Sequence, residues 1–568
     1  MHDLVIRGGT IVDGTGRARF EGDVAIDGDR IAALGRVAAR GRRELDARHR
    51  VVTPGFVDVH THYDGQATWD PELAPSSWHG VTTLVMGNCG VGFAPVRPGR
   101  EDFLIELMEG VEDIPGSALH EGLDWRWESF PEYLDALEGM PRAVDVAAQV
   151  PHCAVRAYVL GDRAHDVDVT DAEIAEMARI TREALRAGAL GFSTSRTILH
   201  RSRHGLVPGT RSRPEELLGI GAALGEAGHG VFEMVSDLQG QEPDLSWMRA
   251  LCEATGCVLT FALAQTPFAP TAWRDTLERV EALAARGLRI APQVPCRPTG
   301  MLFGLESTLH PFALHPTWRA ELAALAPRAR VERLRDPAVR ARLLAEEPAT
   351  RDPIARALVS NWSRIFPLGD PPDYEPPESR SVAAAAAREG RRPEEVAYDW
   401  MLERDGKALL FAPLASYVDC DLEAIRAMML HPRTVLGLSD GGAHCGLICD
   451  ASMPTYLLAH WTRDRTRGPR IPLEHAVRLQ TANTAALWGL GDRGTLEVGK
   501  RADLNVIDLD ALRLDAPYLV HDLPAGGRRL VQRAHGYCAT VLAGETTFED
   551  GEPTGARPGR LVRGPRAA

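Results

Sequence analysis

The sequence predicts an α/β protein: a closed (β/α)8 barrel of the TIM type, with a small β-sandwich domain assembled from both chain termini. Three observations predict it. Both ends of the 568-residue chain are rich in short strands, the long middle alternates strand-like with helix-like segments, and about eight such alternations occur. Strands separated by helices are typical of parallel βα units, and eight units close into a barrel.

The two ends read alike. The first 53 residues contain LVIRGGTIVDG and GDVAIDGDRIAALG, in which apolar and polar residues alternate between Gly and Asp-Gly turns. The C-terminal part contains GTLEVGKRADLNVIDLD and YCATVLAGETTFEDGEPTG. This alternation and these turns indicate hairpins. We therefore expect residues 1–53 and 491–568 to form one composite β-sandwich domain.

The middle of the chain, residues 54–490, supplies the predicted barrel. Its candidate strands are TTLVMGNCG, VDVAAQVP, GALGFSTS, GVFEMVSD, CVLTFALAQ, LRIAPQVP, ALLFAP and TVLGLSD. Amphipathic segments such as DAEIAEMARITREALRAG and WRDTLERVEALAARG lie between strands and predict helices.

One segment, at about residues 301–400, breaks this rhythm. It contains the helix-like run HPTWRAELAALAPRARVERLRDPAVRARLLAEE, in which Asp336 and Pro337 fit the N-cap and first position of a helix. The segment is too long for an ordinary βα loop. It is either a lid over the barrel mouth or a structural insertion.

Composition excludes several classes of protein. The net charge of −14 disfavours a nucleic-acid-binding protein, which needs a surplus of Lys and Arg. The nine cysteines include no CxxC pair, and no apolar run is long enough for a membrane helix. We expect a cytoplasmic protein without membrane or nucleic-acid partners. Lysine occurs only at Lys407 and Lys500.

The sharpest local motif is PGFVDVHTHYDG, residues 54–65. Alternate residues of a strand face the same side, so Asp58, His60 and His62 project together. Two imidazoles at the carboxyl end of a barrel strand are well placed to bind a divalent cation. The alternative is a pair of histidines hydrogen-bonded within a turn.

A second motif, TVLGLSDGGAHCG, covers residues 434–446. It places Asp440 at the end of an apolar strand, followed by two glycines that let backbone approach a ligand closely. A structural Asp in a turn is the alternative. The first motif opens the barrel pattern and the second closes it, and first and last strands are neighbours in a closed barrel. The two motifs together therefore predict one metal site.

With these motifs, the sequence resembles the amidohydrolase superfamily and, within it, the longer N-acyl-D-amino-acid deacylases (D-aminoacylases). The resemblance runs nearly end to end and includes GNCGVGFAP (87–95), SDGGAH (439–444) and GTLEVGKRADLNVIDLD. It implies that His60, His62 and Asp440 bind an α metal. It also implies that Cys89 takes the place of the carbamylated lysine of related enzymes, which agrees with the absence of lysine before residue 407.

The chain departs from that family at the second, β metal. The two expected histidines on strands five and six are missing from VFEMVSD (231–237) and LTFALAQ (259–265). Glu233 offers an oxygen ligand, or it is a buried carboxylate paired with an arginine; Gln265 is a poor ligand. Either the second site is rebuilt with Cys89 and Glu233, or one ion suffices, or activity is altered.

Other candidates concern substrate and catalysis. Tyr63 follows the histidine pair, His152 and Arg156 follow strand three, and Arg196 begins a basic loop after strand four that is suited to a substrate carboxylate. Each has a structural role as its alternative. His444 is a candidate to polarise the scissile carbonyl. The block HDLPAGGRR (521–529) resembles one in the longer family members and has no mechanistic interpretation.

These residues and the resemblance predict a metal-dependent hydrolase of a linear amide, an N-acyl (D-)amino acid or a related small amide. Asp440 is the expected general base, and His, Asp and Cys ligands suit one or two zinc ions best. The alternatives are a hydrolase of a cyclic amide, ester or lactone on the same barrel, and a catalytically impaired scaffold. The family resemblance also suggests a homo-oligomer.

Overall fold

The computed structural model describes residues 1–237 and 245–564. Within these residues the strands are β1 His2–Ile11, β2 Phe20–Asp27, β3 Arg30–Gly35, β4 Gly41–Asp46, β5 Val51–Pro54, β6 Phe56–Thr61, β7 Val81–Met86, β8 Asp145–Pro151, β9 Gly191–Arg196, β10 Arg201–Ser202, β11 Gly205–Leu206, β12 Val231–Ser236, β13 Val258–Phe261, β14 Gln293–Val294, β15 Thr299–Phe303, β16 Phe366–Pro367, β17 Leu410–Ala415, β18 Val435–Leu436, β19 Leu504–Ile507, β20 Arg513–Leu514, β21 Tyr518–Leu523, β22 Gly527–Val531, β23 Ala534–His535, β24 Tyr537–Leu542, β25 Glu545–Glu549 and β26 Glu552–Pro553.

The α-helices of the same described part of the chain are α1 Glu101–Glu112, α2 Gly116–Gly122, α3 Phe130–Glu138, α4 His152–Leu160, α5 Asp171–Ala187, α6 Pro214–Ala227, α7 Ser246–Thr255, α8 Ala272–Ala284, α9 Pro327–Leu334, α10 Pro337–Ala345, α11 Pro353–Ser360, α12 Val382–Glu389, α13 Pro393–Gly406, α14 Glu423–Met429, α15 Met453–Ala459, α16 Leu473–Gln480 and α17 Ala482–Leu487.

A parallel sheet forms the centre of the molecule, in the order β13-β12-β9-β8-β7-β6. A second parallel pair, β14-β18, continues it through two isolated bridges, Leu259 with Ile290 and Ala262 with Gln293. On the other side, Thr61 at the end of β6 bridges Gly441, beyond β18. The predicted parallel α/β arrangement is confirmed, and the chain's two histidine and aspartate motifs lie side by side.

The sequence explains why these segments are strands and helices. Every residue of β6, β7, β8 and β9 is buried, as expected for parallel strands covered on both faces. Helix α5 follows the predicted amphipathic segment. It begins with a capping box between Thr170 and Glu173 and ends at Gly188 in the left-handed conformation.

One segment that the sequence assigns to the barrel lies elsewhere in the structure. ALLFAP contributes to β17, which lies in a three-stranded antiparallel sheet, β15-β17-β16, outside the parallel sheet. The periodicity of a short apolar run does not distinguish a parallel from an antiparallel buried strand. The first strand of the parallel sheet is β6, which carries the histidine motif, as the sequence predicts.

The segment around residues 301–400 has a hydrophobic core of its own. Five of the residues in it are Phe303, Phe312, Trp318, Tyr398 and Leu410. The predicted helices are present here, and the Asp336 side chain caps α10 by accepting from the amide of Ala338 at 2.8 Å. The β15-β17-β16 sheet is an addition that the sequence did not predict.

Strands from both chain ends share one nine-stranded sheet. Its path is β26-β25-β24-β19-β5-β1-β2-β3, with β4 paired to β1. Strand β5, from the N-terminal part, therefore pairs with β19, from the C-terminal part. The hairpin β21-β22, which contains the 521–529 block, pairs separately.

Across the described ranges, we find no helix that combines the length and the apolar character needed to cross a membrane. The nine cysteines are all free thiols.

Candidate metal centre

Three side chains bring metal-binding atoms together at the carboxyl ends of β6 and β7. Donor atoms of His60, His62 and Cys89 all lie within 4.8 Å of one another, and all three residues are buried. The Cys89 Sγ atom is 3.3 Å from His60 Nε2. At the back of the ring, His60 Nδ1 is 2.8 Å from Gln293 Oε1, which leaves Nε2 directed at the cluster.

Asp440 approaches this group from the loop after β18, directly beside β6. Its Oδ1 atom lies 3.5 Å from His60 Nε2 and 3.9 Å from His62 Nε2. The backbone is joined directly to β6, because the Asp440 amide donates to His60 O and the His62 amide donates to Gly441 O. Because these hydrogen bonds are formed by the backbone, they fix the separation of the two motifs.

Several site residues have left-handed backbone conformations. The φ angles are +58° at Cys89, +49° at Asp440 and +51° at His444. Such conformations are unfavourable for residues with a Cβ atom, and they cluster at functional sites. At Gly442, φ is +91° and an added Cβ would lie 2.9 Å from His62 O. A glycine is therefore required for the close approach of this loop to β6.

Burial dominates the electrostatics of the cluster. It lowers the pKa values of His60 and His62, so both imidazoles are neutral and able to bind a cation. Burial also raises the pKa of Asp58 to about 7 and that of Glu233 to about 8, in both cases with a further contribution from the charge of Asp440. A divalent cation would stabilise the ionised form of these carboxyl groups.

Three separations between donor atoms are compatible with ligands of one divalent cation, as a comparison with zinc geometry illustrates. Zinc–nitrogen and zinc–oxygen bonds of about 2.0 Å and zinc–sulfur bonds of about 2.3 Å give a tetrahedron with edges of about 3.3–3.6 Å. The measured separations of 3.3, 3.5 and 3.9 Å are close to these edges. Imidazole, thiolate and carboxylate together also form a donor set that zinc prefers.

A profile of the amidohydrolase family matches residues 43–548. The chain belongs to the amidohydrolase family. It is 27% identical to the D-aminoacylase of Alcaligenes xylosoxydans xylosoxydans, over 99% of this chain and 97% of that one. It is also 27% identical to an N-acyl-D-aspartate deacylase of the same organism, over 99% and 95%.

A solved structure shares the fold of this amidohydrolase. It is an N-acyl-D-glutamate deacylase from Bordetella bronchiseptica in complex with zinc and a phosphonate inhibitor. The TM-score is 0.65 at 24% identity, and the match covers 99% of each chain. The sequence resemblance to amidohydrolases and N-acyl-D-amino-acid deacylases is thus confirmed.

In this amidohydrolase Glu233 lies behind the cluster. Its Oε2 atom accepts the backbone N–H of Cys89 at 3.0 Å, and its Oε1 atom is 3.9 Å from Nδ1 of His60. That nitrogen is on the side of the ring opposite Nε2, so the carboxylate contacts the ligands from outside. The role of Glu233 as a ligand stays a prediction.

Two predicted substrate-binding residues lie in a different buried network. His152 bonds Thr194 Oγ1 and Glu216 Oε1, each at 2.8 Å. The guanidinium of Arg156 donates to the same carboxylate and to Ser212 Oγ. These contacts support the structural alternative for both residues, and their role in substrate binding stays a prediction.

Of the other predicted residues, Tyr63 and His444 lie next to the two sequence motifs of the cluster, whereas Arg196 contacts Ser212 of the buried network. Tyr63 is fully buried and its hydroxyl donates to Ser76 Oγ at 2.8 Å. Arg196 is buried and donates to Ser212 O at 2.7 Å. His444 is 22% exposed, and its Nε2 atom is 3.6 Å from a carboxylate oxygen of Glu112.

Sequence reasoning missed Gln293 and Glu112, which contact the metal-binding histidines from behind. Gln293 carried a weak signal, since it is a polar residue inside an apolar barrel strand. For Glu112 the signal was an acidic residue at the apolar end of a helix. The 521–529 block was noticed but not interpreted: its Arg529 lines a small pocket that also contains Asp440 and Asp450.

Proposed function

We propose that this amidohydrolase cleaves the linear amide bond of N-acyl amino acids of D configuration, with water as the second substrate. The C–N bond of the amide breaks, the oxygen of water bonds to the acyl carbon, and a proton of water goes to the leaving nitrogen. A carboxylic acid and an amino acid are released. The observation that carries the proposal is the buried cluster of His60, His62 and Cys89, with Asp440 Oδ1 3.5 Å from His60 Nε2 and 3.9 Å from His62 Nε2. The names of the full-length relatives support the substrate class.

We propose further that a single divalent ion, zinc, is held by these four side chains. The second-metal histidines are absent from strands five and six, and Glu233 faces the back of His60. When bound, such an ion would polarise the amide carbonyl and lower the pKa of a bound water to about 7. The protein's own residues supply the remaining chemistry.

Asp440 is placed to move the proton. Its side chain is 15% exposed, while its Oδ1 atom remains within 3.5 Å of His60 Nε2. In the proposed reaction, Asp440 accepts a proton from the attacking water and delivers it to the leaving nitrogen. The partly exposed side chain of His444 would donate a hydrogen bond to the former carbonyl oxygen of the amide, on which negative charge develops.

The domain division proposed here follows the packing. Residues 54–490 form the catalytic barrel, since the bridges at Gln293 and Gly441 link the strands of its two ends in a ring. Residues 1–53 and 491–568 form a β-sandwich, supported by a core that includes Leu4, Ile26, Leu504 and Val541 from both chain ends. The 301–400 region is an insertion in the barrel.

We also propose a cytoplasmic location and self-association into a homo-oligomer. The free state of all nine cysteines supports a reducing compartment, because Cys89 must remain a thiol to serve as a ligand. Cell fractionation and light scattering of the purified protein test these two points.

Metal content by elemental analysis tests the single-ion site. We expect about one ion per chain in the wild type and in Glu233→Ala, a reduced content in Cys89→Ala, and none in His60→Ala. Two ions that fall to one in Glu233→Ala would instead establish a rebuilt two-metal site. A wild-type protein that never binds metal would favour the scaffold alternative.

Asp440→Asn tests the hydrolytic role. The amide retains the shape of the side chain but is a poor base, so we expect kcat on an N-acetyl-D-amino acid to fall at least about 100-fold with the fold intact. Asp399→Asn, at a carboxylate 44% exposed in the insertion, is the matched control. Near-normal turnover in Asp440→Asn would contradict the assignment of Asp440 as the general base. A panel with L-enantiomers, cyclic amides, esters and lactones identifies the bond that is cleaved.

A further inference from the structure

Glu112 connects the candidate metal site with His444. It is the last residue of α1, and its side chain is 1% exposed. One carboxylate oxygen, Oε1, is 3.3 Å from His62 Nδ1, and the other, Oε2, is 3.6 Å from His444 Nε2. The backbone carbonyl of Glu112 also accepts the N–H of His444.

This position is unfavourable for a carboxylate in the absence of a cation. Burial penalises its charge, and the neighbouring carboxyl groups of Asp440, Asp64 and Glu233 oppose its ionisation further. A negative charge at the C-terminal end of a helix also opposes the helix dipole. Unfavourable placements of this kind are typical of functional residues.

The contact with His62 has no competitor among the described residues. Both His62 Nδ1 and Glu112 Oε1 are buried, and neither has a hydrogen-bond partner among the described residues, so the ion-pair distance of 3.3 Å between them describes their contact. Gln293 occupies the equivalent position behind His60, at 2.8 Å from Nδ1. The two histidines are therefore backed by different groups, a neutral amide and a carboxylate.

We infer that Glu112 is a positioning residue that aims Nε2 of His62 at the ion and holds His444 beside it. A carboxylate behind a metal-binding imidazole fixes its tautomer and increases its basicity. Because the same carboxylate and its backbone carbonyl also contact His444, the histidine ligand and the proposed oxyanion donor share one support. The inference rests on the proposed metal-dependent function.

Zinc affinity of the full-length protein, measured by competition with a chromophoric chelator, tests the inference. We expect the apparent dissociation constant to rise about 10–100-fold in Glu112→Ala. The rise should be smaller in Glu112→Gln, whose amide oxygen still accepts from Nδ1–H. The metal-free unfolding free energy of Glu112→Gln should be no lower than that of the wild type, because a neutral amide costs less to bury.

Glu216→Gln is the matched control. Glu216 is also a buried carboxylate that contacts a histidine, His152 at 2.8 Å, away from the metal cluster. Its replacement is expected to lower stability and leave zinc affinity within about twofold of the wild type. Such a result would show that loss of a buried His–Glu contact does not by itself weaken zinc binding.

The outcomes separate this inference from the proposed function. Unchanged zinc affinity in both Glu112 variants would overturn the inference and leave the hydrolase proposal standing. Weaker zinc binding in a protein that hydrolyses no amide would support Glu112 and reject the proposed activity. If the wild type binds no zinc, both the Glu112 inference and the proposed zinc-dependent hydrolysis are rejected. At saturating zinc, we expect the Glu112 variants to show a larger fall in kcat than change in KM, because His444 loses the contact that holds it in place.

Discussion

Cys89 is held in a conformation that few cysteines adopt. Its φ of +58° directs the thiol at His60, and its backbone N–H is fixed by the buried carboxylate of Glu233. Burial and the neighbouring carboxyls raise the pKa of this thiol well above its ordinary value. The thiol therefore keeps its proton near pH 7 until a cation displaces it.

Zinc binding should accordingly release the Cys89 proton. An ion that displaces a proton binds about tenfold more tightly for each unit of rising pH. We expect the slope of log apparent association constant against pH, between pH 6 and 8, to be lower by about one in Cys89→Ala than in the wild type. Chelator competition in buffers of constant ionic strength gives both slopes.

Cys296→Ala is the control, since burial raises the pKa of that thiol to about 12 and it hydrogen-bonds Met453 O at 3.3 Å instead. Its slope should equal that of the wild type. Equal slopes in Cys89→Ala and the wild type would show that Cys89 is not a ligand.

At the scale of elements, the loop after β18 determines where Asp440 lies. It contacts β6 through two backbone hydrogen bonds, and Ser439 Oγ donates to Asp58 Oδ2 at 2.6 Å. Gly442 allows this approach, because its left-handed φ and the 2.9 Å contact of an added Cβ both exclude a side chain. The position of Asp440, the proposed general base, therefore depends on a residue without a side chain.

Gly442→Ala should damage the site more than the fold. Gly228, the C-cap of α6, has a φ of +72° with no atom within 4 Å of an added Cβ, so Gly228→Ala isolates the backbone cost of about 1–2 kcal/mol. We expect a larger loss of unfolding free energy in Gly442→Ala, together with a loss of zinc affinity that Gly228→Ala does not show. Urea unfolding and chelator competition measure the two effects; identical behaviour of the variants would contradict this role for the loop.

At the scale of the whole molecule, Asp145 joins the C-terminal part of the chain to the barrel. This first residue of β8 is fully buried. It binds Arg493 Nη1 at 2.7 Å and Arg501 Nη2 at 3.0 Å, both from the segment that leads into β19. It also accepts the backbone N–H of Arg560 at 2.9 Å. One carboxylate thus supports three C-terminal contacts.

Asp145→Ala should lower the unfolding free energy by about 3–5 kcal/mol, because it leaves two buried guanidinium groups without this partner. Asp399→Ala removes a partly exposed ion-pair partner of Arg391 and should cost about 1 kcal/mol or less. Urea unfolding of the metal-free proteins measures both. A loss below about 1 kcal/mol in Asp145→Ala would show that the terminal segments are held by other contacts.

The sequence was sufficient to predict that three candidate ligands lie close together. His60 lies in β6, His62 directly follows it, and Asp440 follows the strand that neighbours β6, so two local patterns indicated their proximity. Glu112 and Gln293 escaped prediction because their contacts join residues 50 and 233 positions apart. Such pairs depend on how helices and strands pack, which one local pattern does not specify.

Predictions about helices and strands divide in the same way, into those that depend on local patterns and those that depend on distant pairing. Helix α5 and the N-cap Asp336 followed from local rules that the structure confirms. The assignment of ALLFAP to the barrel was wrong, because its partner β15 lies about 110 residues earlier and pairs antiparallel. Local patterns indicate what an element is more reliably than where it pairs.

The pairing of β5 with β19 affects how this protein is made. A ribosome adding about 5–20 residues per second needs roughly half a minute or more to pass from residue 54 to residue 504. During that time the free edge of β5, which later accepts β19, is open to pairing with another nascent chain. Completion of the N-terminal sheet must therefore wait until synthesis of the chain is nearly finished, and chaperone dependence should be greatest during that interval.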